Sequence, residues 1–284
     1  MNLKLKIAVV FIFFSLIIFA FDQEESNPGT NVTTSTAPVA PEAIKIGELP
    51  KVVNESSGIE IGNAPGTFVT HNDAGNSAEI YTIDAQGKLL ATTPLPQIEN
   101  IDWEDITKDN KGNIYIADTG NNSNKRKKLK IYKLKLENPD EIETIEFEYA
   151  DRQKKNQNFD YDSEALFWYR SRLYVVTKDR EQGVNARLYE LPDQPGTYEA
   201  KPITNYDIYA PVTSADVSPD GKTLLLLSLG KLHLFNLNGS TDFFASKKGE
   251  ISLGKVGQTE AAVFTDNRTI VFTNEQRGLF QYKL

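Results

Sequence analysis

Paired carboxylates two residues apart recur along this chain, at Asp102 and Glu104 in Asp102-Trp-Glu-Asp-Ile106 and at Asp162 and Glu164 in Asp162-Ser-Glu-Ala-Leu166. Three related segments, Glu55-Ser-Ser-Gly-Ile59, Thr213-Ser-Ala-Asp-Val217 and Gln258-Thr-Glu-Ala-Ala262, put Glu55 and Ser57, Thr213 and Ala215, and Gln258 and Glu260 at the same spacing. Residues two apart on an extended strand share a face. Carboxylates gathered on one face repel one another until a cation, a basic side chain or a proton compensates them. With oxygen ligands alone, the metal that suits them is a hard one, calcium above all.

A second column follows the first: Asp73, Asp118, Lys178, Ser228 and Asn274. Two of its loops are near-copies, His71-Asn-Asp-Ala-Gly-Asn76 and Ala117-Asp-Thr-Gly-Asn-Asn122. The glycine permits a sharp turn that brings a carboxylate and an amide oxygen together, although Asp-x-Gly-Asn is also an ordinary Asx-turn sequence. The expected metal-ligand set is Glu55, Asp73, Glu104, Asp118, Asn121, Glu164 and Glu260, with Ser57, Lys178 and Asn274 as further ligand contacts. Lys178 reads as a charge partner of Glu164. Candidate acid–base groups are Glu104, Glu164 and His71, the last standing two residues before Asp73. His233, in Lys231-Leu-His-Leu-Phe235, reads as a surface or packing residue. Two histidines and no cysteine leave no usual zinc cluster and no disulfide.

What must position these groups is a repeat. After each acidic segment comes a turn, as in Asp109-Asn-Lys-Gly112 and Ser218-Pro-Asp-Gly221, and then a strand: Thr67–Thr70, Ile114–Ile116, Leu173–Val176, Thr223–Leu227 and Thr269–Phe272. A third strand carries Tyr81, Tyr132, Tyr189, Phe235 and Phe280. Both columns recur roughly every 45 to 60 residues, the period of propeller blades. The fold predicted is an all-β propeller of five blades. Six is the runner-up, which needs the long second unit, with Glu141–Glu148 in it, to hide a further fragment. The last unit has only three strands before Leu284, so the strand at 43–49 is expected to complete it and close the ring.

Lys4 and Lys6 precede the uncharged apolar run Ile7–Phe21, which reads as a signal peptide or a short membrane anchor over 1–21. Residues 22–42, rich in Ser, Thr, Pro, Asn and acids, read as a disordered tether to a domain over 43–284. Export without cysteines fits a bacterial periplasmic or secreted protein, touching the membrane only through its N-terminal segment. A net charge of −8 argues against nucleic acid as a partner. The one basic run, Lys125–Lys128, reads as a solvated loop. A monomer with a small-molecule or protein ligand is expected.

The Glu-Ser-Ser-Gly-Ile opening, the His-Asn-Asp-x-Gly loop, Asp-Trp-Glu-Asp-Ile and Asp-Thr-Gly-Asn-Asn resemble bacterial envelope β-propellers of no settled activity. They are distantly similar to the SdiA-regulated and NHL-like propellers, with their Ser-Gly-Ile and Glu-Gly-Ile openings. A looser analogy runs to the SMP-30 and gluconolactonase propellers, which hold calcium with a first-strand Glu plus Asn and Asp from neighbouring blades. Their Glu-Gly-Pro-x-Trp opening is missing from this chain. The resemblance implies a propeller fold and an exported location. Three functions stay open: a module binding a divalent cation or small ligand at an acidic channel mouth, a calcium-assisted hydrolase of an ester, lactone or phosphoester, and a protein-interaction scaffold.

Overall fold

The structure, a computed structural model, describes residues 42–152, 160–180, 183–237, 239 and 242–284. The leader expected over 1–21 and the tether over 22–42 lie outside these residues, Glu42 excepted. Among the described residues no helix is long and apolar enough to cross a membrane.

Strand β1 (Ile44–Glu48) precedes a series of antiparallel meanders. The first is β2 (Ser56–Ile61), β3 (Thr67–Asn72), β4 (Glu79–Asp84) and β5 (Leu89–Pro94). The second is β6 (Trp103–Lys108), β7 (Ile114–Asp118), β8 (Leu129–Lys135) and β9 (Asn138–Tyr149). The third is β10 (Ser163–Tyr169), β11 (Arg172–Thr177), β12 (Asn185–Pro192) and β13 (Gly196–Asp207). The fourth is β14 (Val212–Val217), β15 (Thr223–Ser228), β16 (Lys231–Asn236) and β17 (Lys247–Ser252). The last has three strands in sequence, β18 (Thr259–Phe264), β19 (Thr269–Asn274) and β20 (Gly278–Lys283), and β1 lies antiparallel to β20 as its fourth. Arg277 fastens that pairing: its carbonyl accepts from the Leu49 N–H at 2.7 Å, and its guanidinium donates to Glu48 at 2.6 Å.

Glu141–Glu148 falls within β9 and forms no meander of its own. The start of β13, Gly196–Ala200, pairs in parallel with Ile145–Tyr149 of β9 before the strand crosses to β12. The second and third meanders therefore share one eight-stranded sheet, whose end strands β6 and β10 pack against each other.

Inner strands such as Leu224–Leu227 are apolar on both faces because both faces are covered. Each apolar cluster draws on two meanders: Val69 and Ile80 with Trp103 and Ile116; Ala117 and Ile131 with Leu166 and Tyr189; Phe167 and Leu188 with Leu224 and Phe235; Leu225 and Leu234 with Ala262 and Phe272. The last meander packs on the first, through Ala261, Val263 and Leu279 against Ile59 and Tyr81. The first strands β2, β6, β10, β14 and β18 touch their neighbours in the same order. The array is all-β and propeller-like.

Each first strand carries a β-bulge, between Ser56 and Gly58, Trp103 and Ile106, Ser163 and Ala165, Val212 and Ser214, and Thr259 and Ala262. These align Ser57, Glu104, Glu164, Thr213 and Glu260. Ala215, expected in that column, stands two residues further on. The fourth motif has no acid at its first or third position to mark its phase, and a slip of two keeps every side chain on its own face, so pattern alone does not resolve it.

Candidate functional site

The loops after the second strands are tied to the starts of the first strands by one repeated hydrogen bond. The Asp73 N–H donates to the Glu55 carbonyl at 2.9 Å, Gly120 to Asp102 at 3.1 Å, Lys178 to Asp162 at 2.8 Å and Glu275 to Gln258 at 3.0 Å. The aligned column is therefore Asp73, Gly120, Lys178 and Glu275. Asp118 lies two residues before it and Asn274 one. Where other loops present a charged side chain, the second presents none, and the space above Gly120 holds carboxylates: a Cβ there would overlap Glu104 Oε1 and lie 2.5 Å from Asp102 Oδ2.

Oxygens of Asp73, Asp102 and Glu104 lie within 4.8 Å of one another, and so do those of Glu104, Asp162 and Glu164. Glu104 belongs to both groups. The second group is compensated by protein: Lys178 pairs with Glu164, as its sequence position implies, and Arg180 bridges Glu164 and Asp162. Among the described residues, no hydrogen bond or ion pair reaches the Glu104 carboxylate. Among the described residues, the Asp73 carboxylate accepts only the adjacent Ala74 N–H, at 2.5 Å.

The remaining expected ligands are placed otherwise. Asp118, fully buried, accepts from Arg126 at 2.7 Å and from the Asp102 N–H at 3.1 Å. Asn121 gives its main-chain N–H to Asp162 at 2.6 Å and its side-chain oxygen to the Arg126 N–H at 2.7 Å. Glu55 is exposed and accepts from Asn76 at 2.8 Å. Half-buried Glu260 accepts from Gln258 at 2.8 Å. Asn274 closes its own turn, accepting the Gly278 N–H at 2.6 Å and donating to the Val256 carbonyl at 2.6 Å. Ser57 is buried in the β2 bulge.

Burial pushes the Glu104 carboxyl well above the usual carboxylate range, and Glu164, Asp73, Asp162 and Asp102 add to the rise. Burial, then Asp73 and Asp162, carry Asp102 up to about 6. Glu164 is raised by burial to about 7 against the pull of Lys178 and Arg180, and Glu260 to about 8. Such a cluster takes up either protons or a hard cation.

No family model and no curated protein sequence matches the chain. Among solved structures, a gluconolactonase from Xanthomonas campestris is similar at 14% identity and a TM-score of 0.48, over 81% of this chain and 72% of that one. Kuenenia stuttgartiensis hydrazine synthase is similar at 10% identity and a TM-score of 0.46, over 81% and 71%.

The histidines stand apart from the cluster. His71 is fully buried edge-on to Trp103, with ring centroids 5.5 Å apart, and burial lowers its pKa to about 4. An imidazole sealed in this way cannot exchange protons with a substrate at the mouth. His233 is also fully buried, bonded to Ser228 at 2.8 Å, and so is a packing residue.

Below the cluster, Asp105 ties first strands together. One of its oxygens accepts the Ile106 N–H at 2.9 Å and the Ser214 hydroxyl at 3.3 Å; the other accepts the N–H groups of Leu166 at 2.9 Å and Ala215 at 3.2 Å. Thr107 caps Trp168 N–H at 3.2 Å, Ser214 caps Ala262 N–H at 3.1 Å and Asp216 caps Phe264 N–H at 2.7 Å. An inner edge strand has unpaired N–H groups, and its neighbour's polar side chains satisfy them.

Proposed function

We propose that the chain is an exported five-bladed β-propeller that binds a divalent cation, calcium, at its acidic mouth through Asp73, Asp102 and Glu104. The observation that carries this is Glu104: Lys178 and Arg180 pair with Glu164 and Asp162, while Asp73, Asp102 and Glu104 converge over a glycine with no ion pair of their own among the described residues. The donor set is all oxygen, which suits a hard ion. When bound, the ion would supply charge compensation and a Lewis-acid point. Five blades and a ring closed by β1 are supported by the packing order that returns from the last meander to the first and by the β1–β20 pairing. Export is supported by the basic-flanked run Ile7–Phe21.

A hydrolase reading is favoured by one observation, the poise of Glu164 near neutrality beside Lys178. In that reading Glu164 is the base and Lys178 holds its carboxylate in place. Calcium titration of the melting temperature tests the cation site, and a panel of esters, lactones and phosphoesters separates binding from turnover.

A further inference from the structure

The second and third meanders carry the same pair of inner carboxylates, Asp102 with Glu104 and Asp162 with Glu164, and each has an arginine in the loop after its second strand. The two arginines are used differently. Arg180 donates directly to Asp162 and Glu164 and so compensates their charge. Arg126 donates Nη1 to the Gly120 carbonyl at 2.6 Å and Nη2 to Asp118, 2.7 Å from Oδ1 and 3.1 Å from the main-chain oxygen. Among the described residues, no hydrogen bond or ion pair joins Arg126 to Asp102 or Glu104.

Arg126 nevertheless lies beside them. The Asp118 oxygen that takes its Nη2 also takes the Asp102 N–H, at 3.1 Å. Gly120, whose carbonyl takes its Nη1, lies against the Asp102 and Glu104 carboxylates. Burial raises the Asp102 carboxyl most, and the Arg126 charge opposes that rise. The strand register shows what diverts the guanidinium. Asp118 faces Trp103, and the residue in its place in the third meander, Thr177, faces Ser163. Thr177 carries no charge, and there the arginine lies on the inner acids. Asp118 is fully buried and takes a further bond from the Tyr132 hydroxyl at 3.4 Å. Arg152 braces the same loop through the carbonyls of Asn124 and Arg126.

On the cation reading above, we propose that Asp118 is a positioning residue: it holds Arg126 off Asp102 and Glu104 and so leaves both free for the ion. A carboxylate paired with a guanidinium at hydrogen-bond distance is a strong restraint. A guanidinium released beside two unpaired carboxylates would settle on them, as Arg180 does on Asp162 and Glu164. Asp118 thus acts on the ion through Arg126 and is not itself a ligand, although its place in Asp118-Thr-Gly-Asn-Asn122 reads as one.

Calorimetric titration of the full chain with calcium at pH 8 tests this. Asp118→Asn should weaken binding by at least about tenfold, because Arg126 moves onto Asp102 and Glu104. Combining Asp118→Asn with Arg126→Gln should restore affinity to within about threefold of the wild type. Removing the arginine would not rescue the loss of a ligand or of a purely structural carboxylate. Arg126→Gln alone should change affinity by no more than about threefold, since Arg126 does not occupy the site. That loop substitution decides the matter even if Asp118→Asn fails to fold. Binding about tenfold tighter in Arg126→Gln would mean that the arginine already competes with the ion, and lost binding would mean that it builds the site through Gly120. Either result overturns the proposal, as does Asp118→Asn binding like the wild type, or a double variant as weak as Asp118→Asn. With calcium bound by the wild type, those results leave the cation reading standing; no binding by the wild type would overturn both.

Discussion

Glu104 stands over Gly120 so closely that any side chain at residue 120 would displace its carboxylate. Gly120 has no left-handed φ, so the constraint is space and not backbone conformation. Gly120→Ala changes no charge, yet it should abolish the calcium response while costing about 1 to 3 kcal/mol of stability from overpacking. Denaturant unfolding with and without calcium measures both. A variant that keeps the full response would show that the ion, if bound, sits elsewhere.

Asp105 is expected to be a stability residue. Its four donors come from its own strand and two others, so Asp105→Asn would turn an amide N–H₂ toward N–H groups. Leaving buried N–H donors without their acceptor in this way costs about 1 to 3 kcal/mol. The urea midpoint should fall accordingly, with calcium affinity unchanged among molecules that remain folded.

Stability should rise as pH falls from 8 toward 6. Glu164 and Asp102 have folded-state pKa values raised to about 7 and about 6, and Glu104 is raised further. A raised pKa means the folded state binds protons more tightly than the unfolded, so stability is gained as pH falls through the folded value. His71 and His233 act the other way: lowered to about 4, they withdraw stability as pH falls from about 6.5. Because the raised carboxyls, Glu260 and Glu60 among them, outnumber the two histidines, melting scans in chelator should keep rising below pH 6, more shallowly than above it. With calcium the rise between pH 8 and 6 should flatten, because the ion takes the protons' place.

Removing β1 should open the β20 edge. A chain beginning at Ala43 should fold, whereas one beginning at Pro50 loses the β20 pairing and the Arg277 contacts to Glu48 and Leu49. The shorter chain is expected to melt lower and to aggregate through the exposed strand. Equal melting of the two would show that β1 is dispensable.

The strands and their order were legible because turn residues and β-branched runs mark them locally, and Gly58 in the Ser-Ser-Gly-Ile opening reports a close approach: a Cβ there would lie 2.6 Å from His71 Nε2 and 2.8 Å from the Ile106 nitrogen. Glu104, Glu164, Asp73 and Lys178 were legible as neighbours because strand phase brings their columns to one end. Asp118 and Asn274 were misjudged by one or two residues. The main-chain bonds that set the loop column run from Gly120 and Glu275, and nothing in a loop's composition reveals which N–H reaches back. Arg180 escaped notice because it reaches the cluster from beyond the repeat, and Arg126, in the run that reads as a solvated loop, instead pairs with the buried Asp118. The parallel pairing of β9 and β13 has no local sequence signal, since it depends on two long strands crossing between meanders.

The central claim is tested most directly by the melting temperature of the full chain and of Glu104→Gln across a calcium titration. A ligand specific to the folded state adds about 2.7 kcal/mol at a hundredfold excess over its dissociation constant, and each kcal/mol is worth roughly 2 to 4 °C for a domain of this size. The wild-type chain should gain about 5 to 10 °C in excess calcium at pH 8 and Glu104→Gln should gain nothing. No shift in the wild type, or an equal shift in both chains, would contradict the account.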